Sequence, residues 1–279
     1  MKNILLISDL CYSEINNGGA ESNNHELIKI LAPHHKVGFI TTFDFNKNFN
    51  SLQNIDLFIL SNFYFISDEA KQFLYNKKYI ITEHDYKFLQ SRNPCIYQNF
   101  EAPKTDLIHQ ELYQKSIFTL VQSDFQKQIF QKNLSDVTIV NFSGNLWPVE
   151  TLDLIEALSY KPKNGKTCIL SSDDYGIKGV DRSIDFCNKT FLKYDLIPKL
   201  SHHEFLKFIS DYSTYVFFPR SPETLSRVTI EARLMNLSVI TSQYTSAVHE
   251  EFYKLENKEI LKYLKNKRIE ILDLIQKIL

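Results

Sequence analysis

The chain lacks the cysteine pattern of a metal or disulfide scaffold. Its four cysteines, Cys11, Cys95, Cys168 and Cys187, include no Cys-x-x-Cys pair and no zinc-type spacing with histidine, so they read as scattered reduced thiols. A charge surplus is also missing. The 32 basic and 33 acidic residues leave a formal net charge of -1, which counts against nucleic acid as the main partner, because such binders carry basic surplus to displace phosphate counterions. No run approaches the ~20 apolar residues that span a bilayer. The opening MKNILLISDL turns polar too soon for a signal peptide. The expected location is the cytoplasm, with any membrane contact peripheral. Gly-x-Gly-x-x-Gly is absent from the first loop, which speaks against a dinucleotide-dependent dehydrogenase. There is no internal repeat or low-complexity tract. What is present is 279 residues, 43% hydrophobic and 23% charged. That is enough for a sizeable core without staples, in one large or two small domains.

Short apolar runs alternate with helical patterns. Strands are expected at Asn3–Ser8, Val37–Thr42, Asp56–Leu60, Lys78–Thr82, Phe118–Gln122 and Val137–Asn141. Helices are expected at Glu21–Leu31 and Asp124–Gln131. Trp147-Pro148 and the polar stretch Ser159–Lys166 bracket an expected hinge. The alternation then restarts, with strands at Thr167–Ser171, Thr214–Phe218 and Leu237–Thr241 and helices at Val180–Lys189, Ser201–Tyr212 and Leu225–Asn236. Lys258–Leu279 reads as a long amphipathic helix with a lysine-rich face. This is an α/β pattern of two successive Rossmann-like domains, residues 1–147 and 148–257, followed by the helix 258–279. Parallel sheets bind ligands beyond the C-terminal ends of their strands, so the chemistry is expected on loops that follow strands.

One such loop is Ser221-Pro222-Glu223-Thr224-Leu225-Ser226-Arg227, which runs into Glu231-Ala232. Seven residues lie between Glu223 and Glu231. With Glu223 in a loop and Glu231 on a helix, two carboxylates can bracket one extended ligand. The helix start between them offers unpaired N–H groups and a positive dipole end suited to phosphate. A plainer reading makes Ser221 an N-cap and Pro222 a first-turn proline. It leaves Arg227 and Glu231 unexplained.

Phe217–Thr241, FFPRSPETLSRVTIEARLMNLSVIT, resembles the signature of retaining family-4 glycosyltransferases of the GT-B fold, in which two Rossmann-like domains face each other. The resemblance implies that Glu223 contacts the donor sugar and Glu231 the ribose, with backbone near Leu225 and Ser226, and Arg227 beside them, around the diphosphate. Ser226 stands where glycine is frequent, and Asn236 where glycine commonly precedes the final strand. Lys178-Gly179 resembles the family's phosphate lysine and its glycine, although Asp173 occupies the place of the usual arginine five residues earlier. Arg220 or Arg227 is expected to supply that charge. Asn17-Gly18-Gly19-Ala20-Glu21 resembles the Gly-Gly-x-Glu loop near donor phosphate and acceptor. Thr82-Glu83-His84-Asp85-Tyr86 resembles the segment whose histidine approaches the transferred sugar; Glu83 and Asp85 are secondary acceptor candidates, and a surface His84 paired with Asp85 is the plainer reading. His202-His203 reads as a helix start without chemistry.

The resemblance implies a UDP-, GDP- or ADP-type nucleotide sugar as co-substrate, with no other cofactor. No metal is expected, since Lys178 and the helix dipole can neutralise the diphosphate and no Asp-x-Asp motif is present. The implied catalytic set is His84, Lys178 and Glu223, and the implied outcome is retention, the leaving phosphate oxygen taking the acceptor proton. The acceptor stays open between a glycan, a glycolipid and another hydroxyl, with a modified DNA base disfavoured by the neutral charge. Two rival readings also stay open: a nucleotide-sugar epimerase of the same fold, and a nucleotide-binding protein that has lost turnover. The lysine face of the last helix fits either an anionic membrane surface or plain solvent.

Overall fold

The runs LFIL and YIIT are apolar on both alternating faces, as strands inside a sheet covered on both sides must be. The computed structural model describes residues 1–11, 18–171 and 176–279. In the first part of the chain the elements are β1 (Asn3–Ser8), α1 (Gly19–Leu31), β2 (Lys36–Thr41), α2 (Thr42–Asn48), β3 (Leu57–Leu60), α3 (Asp68–Leu74), β4 (Tyr79–Thr82), α4 (Gln110–Gln114), β5 (Thr119–Val121), α5 (Asp124–Asn133) and β6 (Ile139–Asn141). The strands form a parallel six-stranded sheet in the order β2-β1-β3-β4-β5-β6. Alternate residues face opposite cores. Leu5, Ile7, Phe58, Leu60 and Ile81 join α3 and α5 on one face. Ile4, Leu6, Leu57, Ile59 and Ile80 join α1 and the end of the chain on the other.

The second part contains α6 (Val149–Ser159), β7 (Thr167–Leu170), α7 (Val180–Lys189), β8 (Tyr194–Ile197), α8 (His202–Ile209), β9 (Thr214–Phe217), α9 (Arg227–Leu234), β10 (Ser238–Thr241) and α10 (Asn257–Gln276). Its parallel sheet has the order β10-β9-β7-β8. Cys168, Tyr215 and Phe217 face α6, α8 and α9, while Ile169 and Val216 face α7. The segment expected as part of a hinge is instead α6, an ordered helix that buries Leu152, Ile155 and Leu158.

The chain divides into two units, residues 1–146 with 266–279, and residues 147–265. The continuous helix α10 thus begins in the second unit and ends in the first. In the first unit its later turns contribute Ile271 and Ile275 to the core, and Arg268 pairs with buried Glu26 at 2.6 Å. Both sheets reverse their winding direction once, between β1 and β3 and between β7 and β9. Loops diverge at such points and leave room for a ligand.

Candidate functional site

In the second unit the reversal lies between the loops that follow β7 and β9. Lys178 is on the first loop and Glu223 on the second, and they meet there, Nζ lying 2.8 and 2.9 Å from the two carboxylate oxygens. The backbone enforces the meeting. Gly179 has φ 62°, and a Cβ on it would lie 2.0 Å from the Phe218 carbonyl oxygen, so only glycine fits. Arg220 N–H donates to the Ile177 carbonyl at 2.8 Å. The Glu223 loop is fastened on its other side to the segment after β10. Glu223 N–H donates to Tyr244 O, the Ser246 hydroxyl to Glu223 O, and Ala247 N–H to Leu225 O.

Helix α9 starts at Arg227 with Ser226 as its cap, so Ser221-Pro222 is not the helix start of the plainer reading. Ser226 sits at φ 74°, ψ 83°. That left-handed conformation is the one glycine adopts without cost, which explains why a glycine suits this position. Asn236 likewise has φ 63° at the end of α9, where asparagine is the usual alternative to glycine. Among the described residues Ser226 makes no side-chain cap hydrogen bond to the start of α9. The Leu225 side chain is fully buried and belongs to the core.

Glu231, one turn further on, is 1% exposed. Its Oε1 accepts from Trp147 Nε1 at 2.8 Å and from His202 Nε2 at 3.0 Å. Arg227 Nε lies 3.9 Å from the same oxygen, its guanidinium stacked 4.5 Å from the centre of the Trp147 ring. Oε2 is buried and has no hydrogen-bond partner among the described residues. Burial would push this carboxyl up. The charge and hydrogen bond of His202, then the charge of Arg227 and the Trp147 N–H, outweigh it and hold the pKa down to about 2. Glu231 is therefore an anion at neutral pH with one oxygen committed and the other oxygen open. His202, read from sequence as a helix start, does begin α8, where Ser201 and Glu204 form a capping box. Its contact with Glu231, 29 positions away, carried no sequence signal.

Each of the two arginines expected to supply the charge missing at Asp173 has an acidic neighbour. Arg220 pairs with Asp181, and Arg227 is held by Trp147 and Glu231. Asp173 and Asn17 lie outside the described residues.

In the first unit Gly18 caps α1 and is followed by Gly19 as its first residue. A Cβ on Gly18 would lie 2.5 Å from Glu21 Oε2. His84 follows β4 and is not paired with Asp85, which binds Arg92. Instead its Nδ1 lies 2.6 Å from Gln122 Nε2, and its Nε2 lies 3.4 Å from Asn23 Nδ2. Glu83, the other acceptor candidate, is 1% exposed, and both of its carboxylate oxygens are already engaged. Its carboxylate accepts from Lys87 at 2.6 Å, from Asp85 N–H and from the Tyr113 hydroxyl. Burial raises its pKa, against the pull of Lys87 and Tyr113. Gly18, Gly19 and His84 belong to one unit, and Lys178, Glu223, Leu225, Ser226, Arg227 and Glu231 to the other. The described residues hold no group of three or more His, Cys, Asp or Glu side chains arranged for a metal ion. Among the described residues no helix is long and apolar enough to cross a membrane.

No protein-family model matches the chain, and no curated protein does. Solved structures do. A sucrose-phosphate synthase from Thermosynechococcus elongatus superposes with a TM-score of 0.67 at 10% identity, covering 99% of each chain. Anabaena HepE, in complex with UDP and glucose, gives 0.56 at 12% identity, over 94% of this chain and 89% of its own. An α-glucosyltransferase bound to UDP and a 13-mer DNA containing an HMU base gives 0.55 at 11% identity, over 87% and 80%. The chain thus has the two-domain Rossmann-like α/β fold found in these glycosyltransferases.

Proposed function

We propose that this protein is a glycosyltransferase that takes a sugar from a nucleotide-diphosphate sugar, with retention and without a metal. The observation that carries the reading is Glu231: an ionised carboxylate, buried, with an oxygen unpartnered among the described residues, in the first turns of helix α9. A buried anionic oxygen needs a donor, and a ribose hydroxyl is one. On this reading the diphosphate sits at the N-terminus of α9 with Lys178 against it, and Glu223 accepts from hydroxyls of the sugar. Lys178 and the helix dipole stabilise the negative charge that builds on the leaving phosphate. The leaving oxygen takes the acceptor proton, and His84 approaches the transferred sugar. HepE and the α-glucosyltransferase, both crystallised with UDP, make a UDP sugar the first donor to test. The net charge of -1 favours a glycan or another small hydroxyl acceptor over DNA.

The test is thermal stabilisation by UDP, GDP, ADP and their sugar conjugates. A ligand at 100 times its Kd adds about 2.7 kcal/mol. A shift with one base class, lost in Glu231→Gln, supports the reading and identifies the donor. No shift with any of them removes it.

A further inference from the structure

Three neighbouring strands of the first unit, β4, β5 and β6, end in a chain of side-chain amides that terminates on His84. Leu146 N–H donates to Asn145 Oδ1 at 2.8 Å. Asn145 Nδ2 donates to Gln122 Oε1 at 3.0 Å. Gln122 Nε2 then meets the Glu83 carbonyl at 3.2 Å and His84 Nδ1 at 2.6 Å. Asn145 and Gln122 are 3% and 7% exposed, so water does not compensate for a reversed amide.

The polarity of the chain is fixed at both ends. A backbone N–H can only donate, so Asn145 must turn its oxygen to Leu146 and its NH2 to Gln122. A backbone carbonyl can only accept, so Gln122 must turn its NH2 to Glu83 O and hence to His84. Either amide, if reversed, would set two donors or two acceptors against each other in a buried place. His84 Nδ1 is therefore obliged to accept. A neutral imidazole accepts at one nitrogen, and its other nitrogen carries the proton. Leu146 N–H donates also to Asn23 Oδ1 at 3.0 Å, which turns the Asn23 NH2 toward Nε2, but at 3.4 Å that approach is too long to compete with the 2.6 Å contact at Nδ1.

We propose that Gln122, oriented by Asn145, is a positioning residue that holds His84 as a neutral imidazole protonated at Nε2. The inference rests on the reading above for its consequence: His84 serves the donor sugar as a hydrogen-bond donor and not as a base. The amide relay performs for His84 what a carboxylate partner commonly performs for a histidine, with the opposite tautomer.

The experiment is ¹⁵N–¹H correlation of the ring nitrogens in the histidine-labelled full-length protein, His84 being identified by its loss in His84→Asn. In the wild type Nδ1 is expected at the shift of an unprotonated nitrogen and Nε2 at that of a proton-bearing one. In Gln122→Glu the carboxylate cannot donate, and the proton is expected on Nδ1. Steady-state transfer by that variant should show kcat reduced about 10²-fold, as for a lost transition-state donor, with the donor KM nearly unchanged. A wild-type ring protonated at Nδ1 overturns the proposal, whether or not the variant folds. So does a folded Gln122→Glu protein with the wild-type tautomer. The tautomer is read without any donor, so the expected spectrum in a protein that transfers no sugar would reject the transferase reading and leave the positioning role standing.

Discussion

Lys178 and Glu223 are 45 positions apart in sequence, yet the ammonium sits against both carboxylate oxygens. On the proposed reading, a diphosphate and a sugar hydroxyl would take the place of this mutual contact. The lysine side chain is 45% exposed, and pairs of that kind add about 0–1 kcal/mol to stability. Lys178→Ala is accordingly expected to leave the unfolding midpoint almost unmoved and to lower kcat for sugar transfer about 10²-fold. Turnover at the wild-type rate would mean that another group holds the diphosphate.

Glu231 differs from that pair because it is buried. Glu231→Gln keeps the shape and an acceptor for Trp147 but leaves Arg227 and His202 without their anion. Removing one partner from a buried ionic cluster costs about 3 kcal/mol, which urea unfolding would measure. Loss of nucleotide affinity is expected in the same variant, by calorimetry below its unfolding temperature. Equal UDP affinity in wild type and variant would remove the ribose assignment.

Acid should weaken the two units in different windows. His109, in the first unit, has both ring nitrogens buried without a hydrogen-bond partner among the described residues, and burial, with Lys71 nearby, lowers its pKa from 6.5 to about 4. The unfolded chain binds that proton more readily, so stability falls as pH drops from 6.5 to about 4. The Glu231 carboxyl is depressed from 4.5 to about 2. Its contribution is complete above 4.5 and is lost as pH falls toward 2. Urea midpoints across this range should show both slopes, with His109→Phe flattening only the upper one. A His109→Phe profile identical to wild type would contradict the assignment.

Two backbone positions predict opposite responses. Gly179→Ala forces a Cβ onto the Phe218 carbonyl and should destabilise by about 2 kcal/mol or more. Ser226→Gly relieves a left-handed serine and should stabilise by about 0.5–1 kcal/mol, less whatever the 2.9 Å contact between Ser226 and Thr229 hydroxyls contributes. Thermal unfolding of both variants decides. A stabilised Gly179→Ala would refute the close approach of the two loops.

The buried strands were legible because LFIL and YIIT are apolar on both faces, and Asn3–Ser8 and Val180–Lys189 carry the expected ends. The strand β8 was not. It lies at a sheet edge and carries Asp195, so no apolar run marks it. Helix α6 was passed over because the flanking Pro148 and Ser159–Lys166 were read as punctuation of a hinge. In the site, Glu223 and Glu231 stood out by spacing, and Lys178 by its place after a strand. Their partners did not. Trp147 is 84 positions from Glu231, and Gln122 is 38 from His84. Side chains that meet across a sheet share no local pattern, and an amide that fixes a tautomer looks in sequence like any other amide.

The division of α10 between the units has a consequence during synthesis. The first unit is begun by the earliest residues of the chain but is completed by Ile271 and Ile275 from its last helix. A nascent chain on the ribosome can close the second unit, residues 147–265, before it can close the first. Order of synthesis and order of completion are therefore reversed, and the earlier sheet, with α1 already on that face, waits for the part of its cover that Ile271 and Ile275 supply.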